Sequence, residues 1–123
     1  MTQSAFAGRS ALITGAASGI GAATAKTLDE RGIERLVLVD RDGAKLDALE
    51  LTCTVERHTA DVSDPDFWAE LEKSVGKLDH ALVNAGIASG GPLAQQPFEE
   101  WRRIMSVNLD GAFLTLGVAL RSM

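Results

Sequence analysis

The segment Thr14-Gly15-Ala16-Ala17-Ser18-Gly19-Ile20-Gly21 follows a short apolar run, and residues of helical composition come directly after it. In that setting glycines do chemistry through the backbone. Gly15 suits the tight turn out of a strand, Gly19 lets a pyrophosphate approach without a Cβ in the way, and Gly21 permits close helix packing. The start of a helix carries about half a positive charge from its aligned peptide dipoles, so an anion is stabilised there without a basic side chain. Ser18 and Ile20 complete the candidate diphosphate turn. Glycine within a helix costs up to about 1 kcal/mol relative to alanine, so Gly21 in the first helical turn needs an offsetting reason.

Asp40 answers this turn. It closes the second apolar run, 19 residues beyond Gly21, the distance at which a carboxylate can accept hydrogen bonds from the adenosine ribose hydroxyls. A 2′-phosphate beside it would meet a repulsion of about 4 kcal/mol per charge pair at 4 Å and an effective dielectric of 20. The expected cofactor is therefore NAD, with NADP disfavoured. Arg41 is able to neutralise such a phosphate, and it serves equally well as a solvated loop charge.

These residues need a scaffold. Ala11-Leu12-Ile13, Leu36-Val37-Leu38-Val39 and Ala81-Leu82-Val83 are nearly continuous apolar runs, as in parallel strands covered on both faces. Cys53-Thr54-Val55 with Glu56-Arg57-His58 is more polar and suits an edge strand. Helices are expected from Gly19 to Arg31, closed by Gly32, from Gly43 to Leu51, and from an Asp64-Pro65 start to about Val75 before Gly76. From Pro97 onward, Trp101, Ile104, Met105, Asn108, Leu109, Ala112, Phe113 and Leu116 recur at helical spacing as one wide stripe. Only Ala88-Ser89-Gly90-Gly91-Pro92 reads as an open loop. The alternation implies right-handed crossovers and one parallel-sheet domain over residues 1–123.

Composition narrows the function classes. With 123 residues, 46% hydrophobic and 24% charged, the chain has ordinary globular usage. A net charge of -5 with scattered Lys and Arg argues against nucleic acid as a partner. The single cysteine, Cys53, and an N-terminus without a basic and apolar leader point to the cytoplasm. Charged residues interrupt nearly every window of the roughly 18 residues a membrane span requires, so no membrane segment is expected. His58 and His80 lack metal-ligand spacing, and neither Ser18 nor Ser89 has a neighbouring histidine, so no metal site and no activated serine are expected.

With its Thr14-Gly15-x-x-x-Gly19-Ile20-Gly21 spacing the chain resembles the short-chain dehydrogenase/reductase family, and three later segments strengthen the likeness. Asp61-Val62 is similar to the family's adenine contact, with the Asp61 carboxylate towards the exocyclic amine and the Val62 backbone towards the ring; read alone, Asp61 is equally a loop cap. Asn84-Ala85-Gly86 is similar to the Asn-Asn-Ala-Gly motif that lines the cofactor and ties the sheet together, with Val83 in place of the first asparagine. Asn108, in Ser106-Val107-Asn108-Leu109-Asp110-Gly111, matches the asparagine of the catalytic tetrad, which in the family perturbs its helix and holds a water of the proton relay. Read from position alone, Asn108 is an amide in an apolar stripe that needs a partner, because an unpaired one costs about 1 to 3 kcal/mol.

The resemblance implies a Rossmann-like, doubly wound parallel sheet of the α/β class, truncated, with four strands in the order 3-2-1-4 and helices on both faces. It covers the N-terminal half of a usual member. The family's serine and Tyr-x-x-x-Lys motif have no counterpart, and the chain contains no tyrosine. General acid/base assistance typically contributes about 10²- to 10⁴-fold, so the complete enzyme is expected to interconvert an alcohol and a carbonyl compound with NAD, while this chain alone is inactive. The apolar surface from Ala112 to Leu120 predicts homo-oligomers. A non-catalytic nucleotide-binding or interaction module is the alternative function, and a methyltransferase-like domain is disfavoured by the glycine spacing.

Overall fold

A computed structural model describes residues 4–123. Its elements are β1 (Ser10–Thr14), α1 (Gly19–Glu30), β2 (Arg35–Asp40), α2 (Gly43–Asp47), β3 (Thr54–Thr59), α3 (Pro65–Ser74) and β4 (His80–Leu82). A 3-10 turn at Leu93–Gln95 precedes α4 (Phe98–Met105), a π-helical turn (Ser106–Asp110) and α5 (Gly111–Arg121). The four strands are parallel in the order β3-β2-β1-β4, as the resemblance implies.

The apolar runs explain the layers. Ala11, Ile13, Leu36 and Leu38 point to one face and pack with Ala22 and Ala25 of α1 and Leu46 of α2. Leu12, Val37 and Val39 point to the other, against Trp68 and Leu71 of α3 and Val107, Val118 and Ala119 of the last helix. Because successive side chains of a strand alternate between faces, a run apolar at every position must be covered twice. The polar β3 lies at the sheet edge, as its composition predicts. Its His58 packs edge-on against Phe67 on α3, while His80 lies exposed against Phe6.

Helix boundaries follow their caps. The Asp64 carboxylate accepts from the Asp66 N–H at 3.0 Å and Pro65 opens α3. Gly32 and Gly76 take positive φ after α1 and α3. The second helix stops at Asp47 instead of reaching Leu51. Arg57 of β3 donates to the carbonyls of Leu46 and Leu49 at 3.1 and 2.7 Å, satisfying acceptors that a longer helix would have used itself.

The final helix corrects the expected stripe. Trp101, Leu109, Phe113 and Leu116 are exposed, and Asn108 lies on the same open side. Val107, Gly111, Thr115, Val118 and Ala119 face the core instead. Gly111 lies so near Val62 that a Cβ would meet its Cγ2 at 2.6 Å. The Thr115 hydroxyl is buried without penalty by donating to the Gly111 carbonyl at 2.6 Å. Small residues thus bring this helix onto the sheet and leave the large ones outside.

A second correction concerns length. Phe98–Arg121 forms one continuous helix of 24 residues that is long and apolar enough by composition to cross a membrane. The window beyond Arg103 contains only Asp110 and Arg121 as charges before the helix ends. Its inward face is packed on the sheet through Val107, Val118 and Ala119.

Candidate functional site

In a parallel sheet every strand ends on the same side, so the loops after β1, β2, β3 and β4 converge there. Gly15 leaves β1 at φ +65°, and a Cβ on it would meet Asn84 Nδ2 at 2.9 Å. Gly19 takes φ +55° and faces open space. Gly21 is different: a Cβ there would overlap the Gly15 carbonyl, which is the offsetting reason for a glycine in the first turn of α1. Ser18 is the extended N-cap of α1, its side chain makes no capping hydrogen bond, and no acidic side chain occupies the first turn. Ile20 is 71% exposed. The first turn of α1 is therefore left without a side-chain cap or an acidic neighbour.

The Asp40 carboxylate is tied to this turn. Its Oδ2 accepts from the Ala17 N–H at 3.0 Å and its Oδ1 from the Asp42 N–H at 2.9 Å. Ala17 stands two residues before Gly19, so Asp40 is held beside the segment that enters α1, and it lines a crevice together with Gly15. That crevice encloses about 170 Å³ and is lined by Gly15, Asp40, Arg41, Ala60, Val62, Ala85, Gly86, Ile87 and Val107.

Asp61 and Val62 follow β3. Asp61 Oδ1 accepts from the backbone and hydroxyl of Ser63 at 2.9 and 2.7 Å, so it does cap its loop. Burial pushes this carboxyl up, but the two Ser63 hydrogen bonds and the charge of Arg41 outweigh it and hold the group below the usual value. The Val62 carbonyl accepts from the buried indole N–H of Trp68 at 2.8 Å.

The loop after β4 is latched to the one after β1 by Thr14. Its buried hydroxyl accepts from the N–H groups of Asn84 and Ala85, both at 3.0 Å. The Asn84 side chain donates in turn to the Thr14 carbonyl at 3.2 Å. From sequence, Thr14 has no role beyond opening the glycine motif, and Ile87 has none. The available signal for Thr14 was a polar residue closing an otherwise apolar strand.

Asn108 sits within the π-helical turn, exposed, not in a buried stripe. Its amide is paired nonetheless: Oδ1 accepts from the Ile87 N–H at 2.8 Å and Nδ2 donates to the Ile87 carbonyl at 2.9 Å. Gly86 fits beneath it, since a Cβ there would lie 3.3 Å from Asn108 Oδ1. Of the residues expected at the site, the crevice gathers Gly15, Asp40, Arg41, Val62, Ala85 and Gly86, whereas Ser18, Gly19, Ile20, Gly21, Asp61, Asn84 and Asn108 lie outside its lining. His58, His80 and Cys53 stay outside its lining, and no group of three metal-ligating side chains occurs among the described residues.

Comparison with known proteins identifies the family and the fold. The short chain dehydrogenase family profile matches residues 9–123. The chain is similar to cis-4-hydroxycyclohexanecarboxylate dehydrogenase of Sinomonas cyclohexanicum, 41% identical over 97% of this chain and 51% of that protein. It is 34% identical to chanoclavine-I dehydrogenase of Aspergillus fumigatus over 90% of this chain and 49% of the other. Among solved structures, NAD+-bound xylitol dehydrogenase superposes with a TM-score of 0.89 at 29% identity, over 97% of this chain and 49% of that one. The 3-ketoacyl-(acyl-carrier-protein) reductase of Brucella melitensis, complexed with NADH, gives 0.84 at 31% identity, over 96% and 51%. The chain spans about half the length of these relatives. The matched profile, the identities and the shared architecture make this chain a member of the short-chain dehydrogenase family.

Proposed function

We propose that this chain is the dinucleotide-binding half of an oxidoreductase that interconverts an alcohol and a carbonyl compound with NAD(H). The observation that supports this reading is the hydrogen bond from the Ala17 N–H to Asp40, which ties that carboxylate to the segment entering α1. The residues fit the cofactor. The N–H groups around Gly15, Ser18, Gly19, Ile20 and Gly21 would hold the diphosphate, and Asp40 would accept from the ribose hydroxyls. Asp61 and Val62 would flank the adenine, and Arg41 would lie beside the ribose, able to neutralise a 2′-phosphate. Asn84, Ala85 and Gly86 would line the path towards the nicotinamide ribose. When bound, the nicotinamide supplies the hydride acceptor or donor.

Asn108 is the candidate member of the catalytic group on this chain, holding the loop at Ile87 and presenting an amide to a relay water. The chain has no tyrosine to act as the family's acid/base, so we assign it binding without turnover when alone. By itself it then behaves as a nucleotide-binding module, the second reading. NAD is favoured over NADP because Asp40 offers a negative charge where a 2′-phosphate would lie. The NAD+ and NADH in the two solved relatives support a nicotinamide cofactor. We further assign the protein to the cytoplasm, with neither nucleic acid nor membrane as a partner, and to homo-oligomers formed through the exposed Phe113, Leu116 and Leu120.

Calorimetric titration of the chain with NAD+ and with S-adenosylmethionine tests the site. Saturable binding of NAD+ alone, lost in Asp40→Ala, is the expected result. Binding of S-adenosylmethionine in place of NAD+ would overturn it. Sedimentation velocity at micromolar concentration tests self-association, and a single sharp monomer boundary would refute it.

A further inference from the structure

We propose that Trp68 is a positioning residue for base recognition: its indole N–H holds Val62 so that the Val62 backbone N–H is presented to the adenine ring. The inference rests on the dinucleotide reading above. Trp68 itself does not line the crevice. It is 2% exposed, sits in the core with Leu12, Val37, Val39 and Val118, and meets Phe67 edge-on with ring centroids 5.0 Å apart. A ring so enclosed has one polar atom to satisfy. Its N–H donates to the Val62 carbonyl at 2.8 Å. The start of α3 makes this possible, because Asp64 caps the helix and Pro65 opens it, so Trp68 comes round in the first turn, near the loop that has just left β3.

Val62 does line the crevice, together with Asp40, Ala60 and Gly86, and it is 5% exposed. Its Cγ2 lies 2.6 Å from where a Cβ on Gly111 would stand, so the missing Cβ seats the side chain. With carbonyl and side chain both placed, the tetrahedral Cα fixes the Val62 nitrogen as well. The preceding Asp61 carbonyl accepts from the Asp64 N–H at 3.0 Å. A trans peptide is planar with its C=O and N–H opposed, so holding that carbonyl aims the Val62 N–H the other way. Among the described residues neither a carbonyl nor a side chain accepts from this N–H. A donor left over at so enclosed a residue is costly unless an occupant of the crevice takes it. Adenine offers the matching acceptor, a ring nitrogen beside its exocyclic amine, N1 or N7. Without the indole bond the Val62 carbonyl is free to turn, and the donor loses its aim.

The test compares NAD+ with its 1-deaza- and 7-deaza-adenine analogues, in which a C–H replaces one ring nitrogen while the amine stays. Dissociation constants are measured by calorimetry on the full chain. In wild type one analogue is expected to bind on the order of tenfold more weakly than NAD+, the loss of one hydrogen bond at an enclosed donor. Trp68→Phe keeps an aromatic ring in the core and removes the N–H. It should shrink that penalty to less than about threefold, by weakening NAD+ and leaving the analogue's affinity in place. A purely structural tryptophan would weaken both ligands alike, so an undiminished penalty in folded Trp68→Phe overturns the proposal. A wild type that binds NAD+ and both analogues equally overturns it too, and the dinucleotide reading survives that result. No saturable NAD+ binding to wild type defeats the dinucleotide reading and this inference together. Should Trp68→Phe fail to fold, Trp101→Phe leaves Trp68 as the one tryptophan, and its indole N–H resonance carries the test. NAD+ should shift that resonance more than the weaker analogue does, each at saturation; equal shifts, or none with NAD+, would overturn the proposal.

Discussion

Asn108 and Ile87 are joined by two hydrogen bonds, the side-chain amide of one bracketing the backbone N–H and C=O of the other. The π-helical turn presents that amide, and the loop after β4 receives it. Asn108→Ala removes both bonds at a largely exposed place, so a loss of about 1 to 2 kcal/mol is expected in urea unfolding. Hydrogen exchange at the Ile87 amide should accelerate more than exchange in β1 or β2. Equal acceleration throughout would show that the bracket does not act locally.

Two glycines of the turn separate stability from binding. Gly21→Ala drives a methyl into the Gly15 carbonyl and should cost about 2 kcal/mol or more in urea unfolding, lowering solubility with it. Gly19→Ala meets no atom and carries only the left-handed strain at φ +55°, about 1 kcal/mol. Its methyl nevertheless enters the space assigned to the diphosphate, so NAD+ binding should fall by more than its unfolding cost explains. Undiminished NAD+ affinity in Gly19→Ala would contradict the diphosphate assignment.

Acid should destabilise the fold from just below pH 4. Burial pushes the Asp29 carboxyl up, but hydrogen bonds from Thr52 and Cys53 more than reverse this, leaving it below the ordinary 3.8. Asp79 is lowered chiefly by the Ser10 N–H, with help from Arg9 and Lys77. Such groups bind a proton more tightly when unfolded. Their stabilisation is complete above 3.8 and disappears as the pH falls through the lower folded values. Urea midpoints measured between pH 7 and 2 should decline in that window, with a shallower decline in Asp29→Asn. An identical slope in that variant would remove Asp29 from the account.

Cys53 should be a slow thiol. Burial, then the hydrogen bond and charge of Asp29, push it up from 9.0 to about 11. At pH 8 its thiolate fraction is on the order of a hundredfold below that of an ordinary thiol, and iodoacetamide alkylation should slow in proportion. Asp29→Asn should speed the reaction while the protein stays folded. A wild-type rate equal to that of glutathione would refute the assignment.

Strands and caps were legible because each carries a local signal. Leu36 to Val39 is apolar at every position, Asp64-Pro65 is an N-cap followed by a fitting proline, and both are where they were expected. The glycine turn and Asp40 were equally open to reading, since spacing in sequence fixes their neighbourhood once the strands are parallel. The last helix was not. Apolarity selected Trp101, Leu109, Phe113 and Leu116, whereas the sheet receives Gly111, Thr115 and Ala119, chosen for close approach. The π turn also holds more residues than an α turn, so a periodicity projected through Asn108 drifts out of phase. The partners of Asp40 and Asn108 are backbone groups of Ala17 and Ile87, and no residue type announces a backbone partner.

The Thr14 latch has one further consequence. Because the Thr14 hydroxyl at the end of β1 fastens the loop after β4, the spacing of these two strand ends is fixed by the chain's own bonds. The nucleotide proposed above would then spend little of its affinity on arranging its host, and a mutation at Thr14 would weaken its binding without touching it.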